Sequence, residues 1–175
     1  MIDSVAVRSL LWPSFCTQDE TSHMRLPKEL KHGSLEAFEH LVADYKALLF
    51  QFFHRLQADS VAAENAAERV FLSAYRARKV LQATTDLTAW LFRIASDLAR
   101  RLNQVALGSV LNSLPVQAAF VRLRTQEKVV ILLHRFAGLT VDQLSMSLRL
   151  SRSGTAELLQ QAYCSLQREL KGSAT

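Results

Sequence analysis

The stretch from Ser34 to Phe53 constrains the fold more than any other part of the sequence. Apolar and aromatic residues recur there at steps of three and four, which is the repeat of one face of an α-helix. Ser34 is a suitable N-cap residue, and Glu36 in the first turn complements the helix dipole. The pattern predicts a long amphipathic helix. It would bury the stripe Leu35, Phe38, Leu41, Val42, Tyr45, Leu48, Leu49, Phe52 and Phe53.

The rest of the chain is poor in residues that make tight turns. It has 5 glycines and 3 prolines among 175 residues, where average usage of the two together is about 12%. A β-sandwich or barrel needs many tight turns, whereas long helices need few. Hydrophobic residues make up 49% of the chain, enough for a core. The sequence therefore predicts an all-α fold.

Several classes of protein do not fit the sequence. Cys16 and Cys164 are too few and too far apart for a disulfide framework or a zinc site. No apolar run reaches the length of a membrane span, and no signal peptide pattern opens the chain, so we expect a cytoplasmic protein without membrane insertion. The 5 histidines lack ligand spacing, and no phosphate loop or activated nucleophile is present. We expect no catalytic site, no metal and no cofactor.

Two further helices are predicted before residue 103. Asp59 and Ser60 begin the first, whose apolar side runs from Val61 to Tyr75. The next begins near Thr85 to Thr88. It would bury Leu87, Leu91, Ile94, Leu98 and Leu102, and would show Arg93, Asp97, Arg100 and Arg101 on its other side. Residues 1–33 lack a clear pattern, and Pro27 and Gly33 interrupt them, so we predict an irregular N-terminal arm there.

The C-terminal part carries the signals of a helix-turn-helix. A helix over Gln126 to Phe136 ends before Gly138, which suits a left-handed residue. Thr140 and Gln143 form a capping box that starts a short helix. A turn at 149–151 precedes a last helix, capped by Ser151 or Ser153 and burying Thr155 or Leu158, Leu159, Ala162, Leu166 and Leu170. Two short helices around such a turn predict a DNA-binding helix-turn-helix, and an ordinary α-hairpin in a bundle is the alternative.

The order of three motifs resembles the extracytoplasmic-function group of bacterial RNA polymerase sigma factors. The motifs are Ala63-Glu64-Asn65 with 70–75, then 90–95, then 138–144. That family carries, in this order, AEDLVQETFLRAW, AWLYRIARN and LPxxxRxVxLLxxxxGLSxxEIAxxLGxS. The similarity spans about residues 34–171, and from Leu123 to Leu139 the spacing matches without a gap.

The resemblance implies two small helical domains and a division of labour between them. A sigma region 2-like bundle would span 34–103, a linker 104–115, and a region 4-like helix-turn-helix 116–171. Such a chain would be an alternative sigma factor that binds the β′ clamp and β flap of core RNA polymerase. It would direct recognition and opening of promoter DNA, and the polymerase would do the chemistry. An anti-sigma factor is a further partner that the family implies.

The resemblance also assigns three sets of residues. Glu64, Asn65, Glu68, Arg69 and Leu72 would bind the polymerase clamp. Arg76, Lys79, Trp90, Arg93, Arg100 and Arg101 would contact the −10 element. Arg149, Arg152, Ser153, Ala156, Glu157, Gln160 and Gln161 would contact the −35 element. Residues 76–101 carry a net charge of +4, from six cations and two carboxylates. This charge favours contact with DNA backbone, although a solvated helix face would show the same pattern.

The sequence departs from the family pattern at positions that matter for binding. Arg69 replaces a glutamate in the clamp-binding helix, and Ser96-Asp97 replaces an Arg-Asn pair in the −10 helix. In the last helix, Ala156, Leu158 and Gln161 replace a lysine and two arginines. Residues 153–170 carry a net charge of −1 as a result. Because readers of this type hold phosphates with cations, a second hypothesis is a degenerate sigma-like protein that binds polymerase or an anti-sigma factor without reading DNA.

Overall fold

The computed structural model describes residues 20–57, 59–102 and 115–172. This part of the chain contains α-helices and one short 3-10 turn but no strand, which confirms the all-α prediction. The elements are α1 (Glu20–His32), α2 (Leu35–Gln57), α3 (Ser60–Ala77), the 3-10 turn (Arg78–Val80), α4 (Leu87–Leu102), α5 (Pro115–Arg122), α6 (Thr125–Arg135), α7 (Val141–Leu148) and α8 (Arg152–Gly172). None of these helices is both long and apolar enough to cross a membrane.

The N-terminal helices begin at the capping residues that the sequence indicates. The Ser34 hydroxyl accepts a hydrogen bond from the Ala37 amide at 3.2 Å, before α2. The Asp59 carboxylate accepts from the Val61 amide at 2.9 Å, at the start of α3. Each bond satisfies an amide that lacks a partner within its own helix. Both predicted helix starts are confirmed.

Helix α1 corrects the prediction of an irregular arm over residues 1–33. Glu20–His32 is helical although Pro27 stands inside it, where a proline costs a helix about 3 kcal/mol. Packing offsets this cost, because Leu30 is 3% exposed and Leu26 lies against the same core. Gly33 then takes a φ of +82°, which lets the chain turn directly into α2. Residues 1–19 lie outside the described part of the chain.

The core of the N-terminal unit is an aromatic and aliphatic layer between α2, α3 and α4. Phe53, Leu49 and Phe92 are fully buried, and the rings of Phe52 and Phe92 meet edge to face with centroids 5.9 Å apart. The predicted stripe is correct for most of its length. Leu35 is the exception on α2, at 68% exposed. On the predicted apolar side of α3, Val61 and Tyr75 are exposed too, at 69% and 39%. Leu35 and Val61 each stand in the first turn of a helix, outside the packed layer.

The C-terminal unit contains the predicted helix-turn-helix. Thr140 and Gln143 make both hydrogen bonds of the capping box, with Thr140 N donating to Gln143 Oε1 at 3.0 Å. Gly138 has a φ of +66°, as the sequence predicts. Of the two candidate caps for the last helix, Ser151 accepts from the Gly154 amide at 3.1 Å. Cys164 is exposed on α8.

A buried carboxylate holds the C-terminal helices together. Glu127 is 5% exposed at the start of α6. It accepts a hydrogen bond from the Arg124 amide at 2.9 Å and another from the Ser165 hydroxyl of α8 at 2.8 Å. A buried charge is tolerated when hydrogen bonds surround it, so Glu127 fixes the angle between α6 and α8.

The two units pack directly against each other in the described chain. Helix α7 lies along α4, and the buried residues of both units form one continuous core. The polar side predicted for α4 is therefore partly covered. In the predicted stripe, Leu87 and Leu91 are buried, whereas Ile94, Leu98 and Leu102 are half-buried. Ala89, Phe92, Ser96 and Ala99 are buried as well. The predicted linker, 104–115, lies outside the described residues except for Pro115, which begins α5.

Candidate nucleic-acid and protein interfaces

One face of α3 carries the five residues that the resemblance assigns to polymerase binding. All of them are exposed, and their spacing places them on one side of the helix. The set is Glu64, Asn65, Glu68, Arg69 and Leu72. Leu72 is 57% exposed, although the α3 positions that face α2 are buried. We call these five residues the α3 face.

An open groove of about 710 Å³ runs between α2 and α3 beside this face. Phe50, Val61 and Phe71 supply apolar floor and walls, while Lys46 stands on one side and Glu64 and Glu68 on the other. Apolar floors with charged rims are typical of surfaces that bind another protein. The groove and the α3 face together form one continuous candidate surface.

The cations predicted to contact the −10 element differ in their surroundings, since some are exposed and others are half-buried or paired with another residue. Arg76, Lys79 and Arg101 are exposed, whereas Arg93 is half-buried. Arg100 forms an ion pair with Asp97, one turn earlier on α4. Arg78, which contributes to the net charge of this region, lies over the Tyr75 ring at 4.0 Å and donates to the Tyr75 carbonyl at 2.7 Å. Arg78 therefore caps the C-terminal end of α3.

Trp90, also assigned to the −10 set, belongs to the core in this structure. Its side chain is 6% exposed, and its indole Nε1 is buried without a hydrogen-bond acceptor among the described residues. The residue lies on α4 with the fully buried Leu91 and Phe92. In this conformation, too little of the Trp90 side chain is exposed for it to contact DNA.

The first turns of α8 present the predicted −35 residues to solvent. Ser153, Ala156, Glu157, Gln160 and Gln161 are all exposed. Arg152 is exposed too and lies 3.4 Å from the Asp142 carboxylate of α7. Leu158, a candidate buried residue of the last helix, is half-buried and lines a small cavity with Ser96 of α4.

Arg149 stands in an unusual backbone conformation. Its φ of 56° and ψ of 41° place it in the left-handed region, which costs a residue with a side chain about 1–2 kcal/mol relative to glycine. This is the position at which the family pattern LGxS has its glycine. The Arg149 side chain leaves the turn towards α4, where its Nη2 lies 3.9 Å from Asp97 Oδ2.

Hydrogen bonds that the sequence did not predict join α4 and α7. Gln143 Nε2 donates to Asp86 Oδ2 at 2.9 Å. The buried Ser147 hydroxyl shares its proton between the Ala89 carbonyl of α4 at 3.1 Å and the Gln143 carbonyl of its own helix at 2.8 Å. Asp86 and Gln143 also cap their own helices, and this capping role masked their second contact. Ser147 was the one residue whose type could have indicated this contact, because a small polar residue suits close packing between two helices.

A buried tyrosine fixes the start of α4 on α2. The Tyr45 hydroxyl and the Thr88 hydroxyl are 2.6 Å apart. Burial raises the pKa of Tyr45 above its usual value, and the hydrogen bond to Thr88 opposes that effect. Among the described residues, no group of three metal-binding side chains comes together.

Comparison with known proteins identifies the N-terminal unit by sequence. Residues 41–103 match the family described as sigma-70 region 2. A relative from Bacillus subtilis (strain 168), the ECF RNA polymerase sigma factor SigW, is 31% identical over 71 residues. That match covers 41% of this chain and 38% of the relative.

Two solved structures share the fold over most of the chain. The structure of CnrH in complex with the cytosolic domain of CnrY has a TM-score of 0.75 at 22% identity, over 86% of this chain and 98% of that one. The sigma factor RpoE from Bartonella quintana, solved with the anti-sigma factor NepR, has a TM-score of 0.61 at 18% identity, over 78% and 98%. At these identities, the likeness concerns the fold.

Proposed function

We propose that this chain, which carries a sigma-70 region 2 domain and is related to the extracytoplasmic-function sigma factors, is an alternative sigma factor. It binds core RNA polymerase in the cytoplasm and directs recognition and opening of promoter DNA. One observation carries the proposal. The same chain combines a region 2 domain, with its α3 face free, and a helix-turn-helix whose second helix exposes its first turns.

The α3 face and the groove beside it support binding to the polymerase clamp. Leu72 and Val61 place apolar surface in water at 57% and 69% exposure, and burying such groups against a partner is favourable. Glu64 and Glu68 give the rim a negative character that suits a basic partner surface. The second contact, with the β flap, belongs in this proposal to the C-terminal unit.

The exposed cations at the end of α3 and on α4 support contact with the −10 element. Arg76, Lys79 and Arg101 can track a phosphate backbone without breaking any ion pair among the described residues. On α8, Gln160 and Gln161 can donate to and accept from adenine edges. Arg149 and Arg152 supply the cations at the entrance of that helix.

Transcription in vitro with purified core polymerase over a library of upstream sequences tests the proposal. We expect transcripts from a subset of templates that share two elements. We expect their loss in the double variant Arg100→Glu with Arg101→Glu, which puts negative charge on the −10 helix. If the wild-type chain yields no transcript above core polymerase alone from any template, the proposal is wrong.

One observation favours the second candidate function, a sigma-like protein that does not read promoter DNA. Of the two cations at the entrance of α8, Arg149 already faces Asp97, and residues 153–170 carry a net charge of −1. In that case, core polymerase should bind the chain while the library remains silent. The same assay, combined with a measurement of polymerase binding, separates the two functions.

An anti-sigma factor is a further partner that the fold allows. Both related structures were solved with another protein bound, the cytosolic domain of CnrY in one and the anti-sigma factor NepR in the other. In this chain, a regulator that covers the α3 face would block polymerase. Competition between such a protein and core polymerase for the labelled chain would show this.

A further inference from the structure

Residues at which this chain departs from the family pattern come together in space. Ser96 and Asp97 lie on α4, Arg149 in the turn after α7, and Leu158 on α8. Ser96 and Leu158 line one small cavity between the two units. Asp97 and Arg149 face each other at 3.9 Å beside it. Three departures that remove cations or add a carboxylate on the DNA-binding helices, at Ser96, Asp97 and Leu158, therefore lie on one surface with Arg149.

The small side chain of Ser96 permits the close approach of the two units. Ser96 is fully buried, and its cavity of about 40 Å³ is closed by Leu148 and Leu150 from the helix-turn-helix. An arginine, as in the family pattern, is far larger than this space. It would also bring a second cation next to Arg100, which lines the same cavity, and burying a charge without a partner is unfavourable.

The side chain of Arg149 explains a strained backbone. A glycine would hold the left-handed turn without strain, but it could not reach across to α4. Arg149 reaches Asp97, which also binds Arg100. The carboxylate that stands in the path expected for DNA phosphates thus has a partner in the other unit.

We propose that these residues form an intramolecular latch that holds the helix-turn-helix on the −10 helix of the free chain. Two hydrogen bonds complete the latch, from Gln143 to Asp86 and from Ser147 to the Ala89 carbonyl. Because α7 covers one side of α4, the latched chain keeps part of its −10 surface away from DNA. Opening the latch exposes that side and frees Arg149.

The latched state cannot read a whole promoter. The −10 and −35 elements, as their names state, lie about 25 base pairs apart, which is about 85 Å at about 3.4 Å per base pair. Units in side-chain contact do not span that distance. This consequence rests on the proposed function, but the latch itself does not require DNA or polymerase.

Energy transfer between two dyes on the free chain tests the latch. One dye is attached to the exposed Cys164 of α8 and the other to a cysteine introduced by Glu39→Cys on the exposed side of α2, with Cys16→Ser to prevent extra labelling. We expect one narrow population at high transfer. Polymerase and DNA are absent, so this test and the transcription assay fail independently.

Three variants identify the contacts that matter. Arg149→Gly removes the ion pair and relieves the backbone, so the open population should rise up to about fivefold, the range of an exposed pair, with no loss of helix content. Ser147→Arg, a wedge between α4 and α7, should make the open population dominant. Arg152→Gly removes a cation beside the same turn without touching α4, and should leave transfer unchanged.

Two results would overturn the latch. One is a parent chain that already shows broad, low transfer. The other is unchanged transfer in both Arg149→Gly and Ser147→Arg. If Ser147→Arg loses helix content by circular dichroism, Arg149→Gly alone decides, because the glycine favours the folded turn.

Discussion

The two units of this chain use their polar residues differently. In the N-terminal unit, the polar residues of α3 point outward and leave a continuous face for a partner. In the C-terminal unit, Gln143, Ser147 and Arg149 are directed at α4 of the other unit. The sequence match follows the same division, since the sigma-70 region 2 family covers residues 41–103.

The comparison indicates which contacts are free for a partner and which must first be exchanged. The α3 face is exposed and needs no rearrangement to bind a partner. The helix-turn-helix leaves the first turns of α8 exposed. However, Arg149 in its turn is paired with Asp97, and α7 covers one side of α4. Under the proposed function, a partner docks on the N-terminal unit first, and the C-terminal unit then leaves α4 before both units meet DNA.

The largest effect is expected in the core of the N-terminal unit. Phe53→Ala should lower the free energy of unfolding by about 3–5 kcal/mol, because it removes a fully buried ring and leaves a cavity. Urea denaturation followed by circular dichroism measures the change. Leu72→Ala, on the exposed α3 face, should change stability by less than about 0.5 kcal/mol. Equal losses would contradict the division between core and face.

An intermediate effect is expected at the buried carboxylate of the C-terminal unit. Glu127→Ala should cost about 1–3 kcal/mol, because the Arg124 amide and the Ser165 hydroxyl lose their acceptor. The exposed Glu157 on α8 provides a matched control, and Glu157→Ala should be close to neutral in the same denaturation experiment. A neutral Glu127→Ala would show that α6 and α8 do not depend on this carboxylate.

A smaller effect is expected on polymerase affinity. Arg69→Glu restores the residue type of the family pattern and should raise affinity for core polymerase up to about fivefold, as expected for a charge at the rim of an interface. Glu68→Arg, on the same face, should lower affinity by a similar factor. Fluorescence anisotropy of the labelled chain at two salt concentrations measures both. If Arg69→Glu lowered the affinity and Glu68→Arg raised it, polymerase would bind elsewhere on the chain.

The smallest effect distinguishes the DNA contacts of the two units. Arg101→Gln should reduce the slope of log affinity against log salt concentration by about 0.7–0.9, the value for one phosphate contact. Gln160→Ala should lower affinity for the cognate −35 sequence while leaving the slope unchanged. A titration of the polymerase complex with promoter DNA over a salt series measures both. An unchanged slope for Arg101→Gln would remove it from the phosphate path.

Local signals in the sequence predicted the elements that depend on local physics. Asp59, Thr140 and Gly138 act within a few residues of chain, so their patterns were readable and their roles are confirmed. The regular stripe on α2 reflects one packed face, which a single helix can reveal. The polar outer faces of α3 and α8 follow from the same periodicity.

The features that the sequence did not reveal depend on contacts between distant residues. Helix α1 holds its proline because Leu30 finds a place in the core, which no local pattern shows. Ser96 is buried because α7 covers a second side of α4, where Leu148 lies beside it. Asp97 departs from the family pattern of the −10 helix, and its ion pair with Arg149 joins residues too far apart in the sequence to leave a local pattern.

The most direct measurement of the whole account is the distance between the two units before and after assembly. The chain labelled at Cys164 and at position 39 reports this distance, first alone and then with core polymerase and a promoter selected from the library. We predict high energy transfer in the free chain and its loss in the promoter complex, with Arg149→Gly already partly open. Equal transfer in both states would contradict the account.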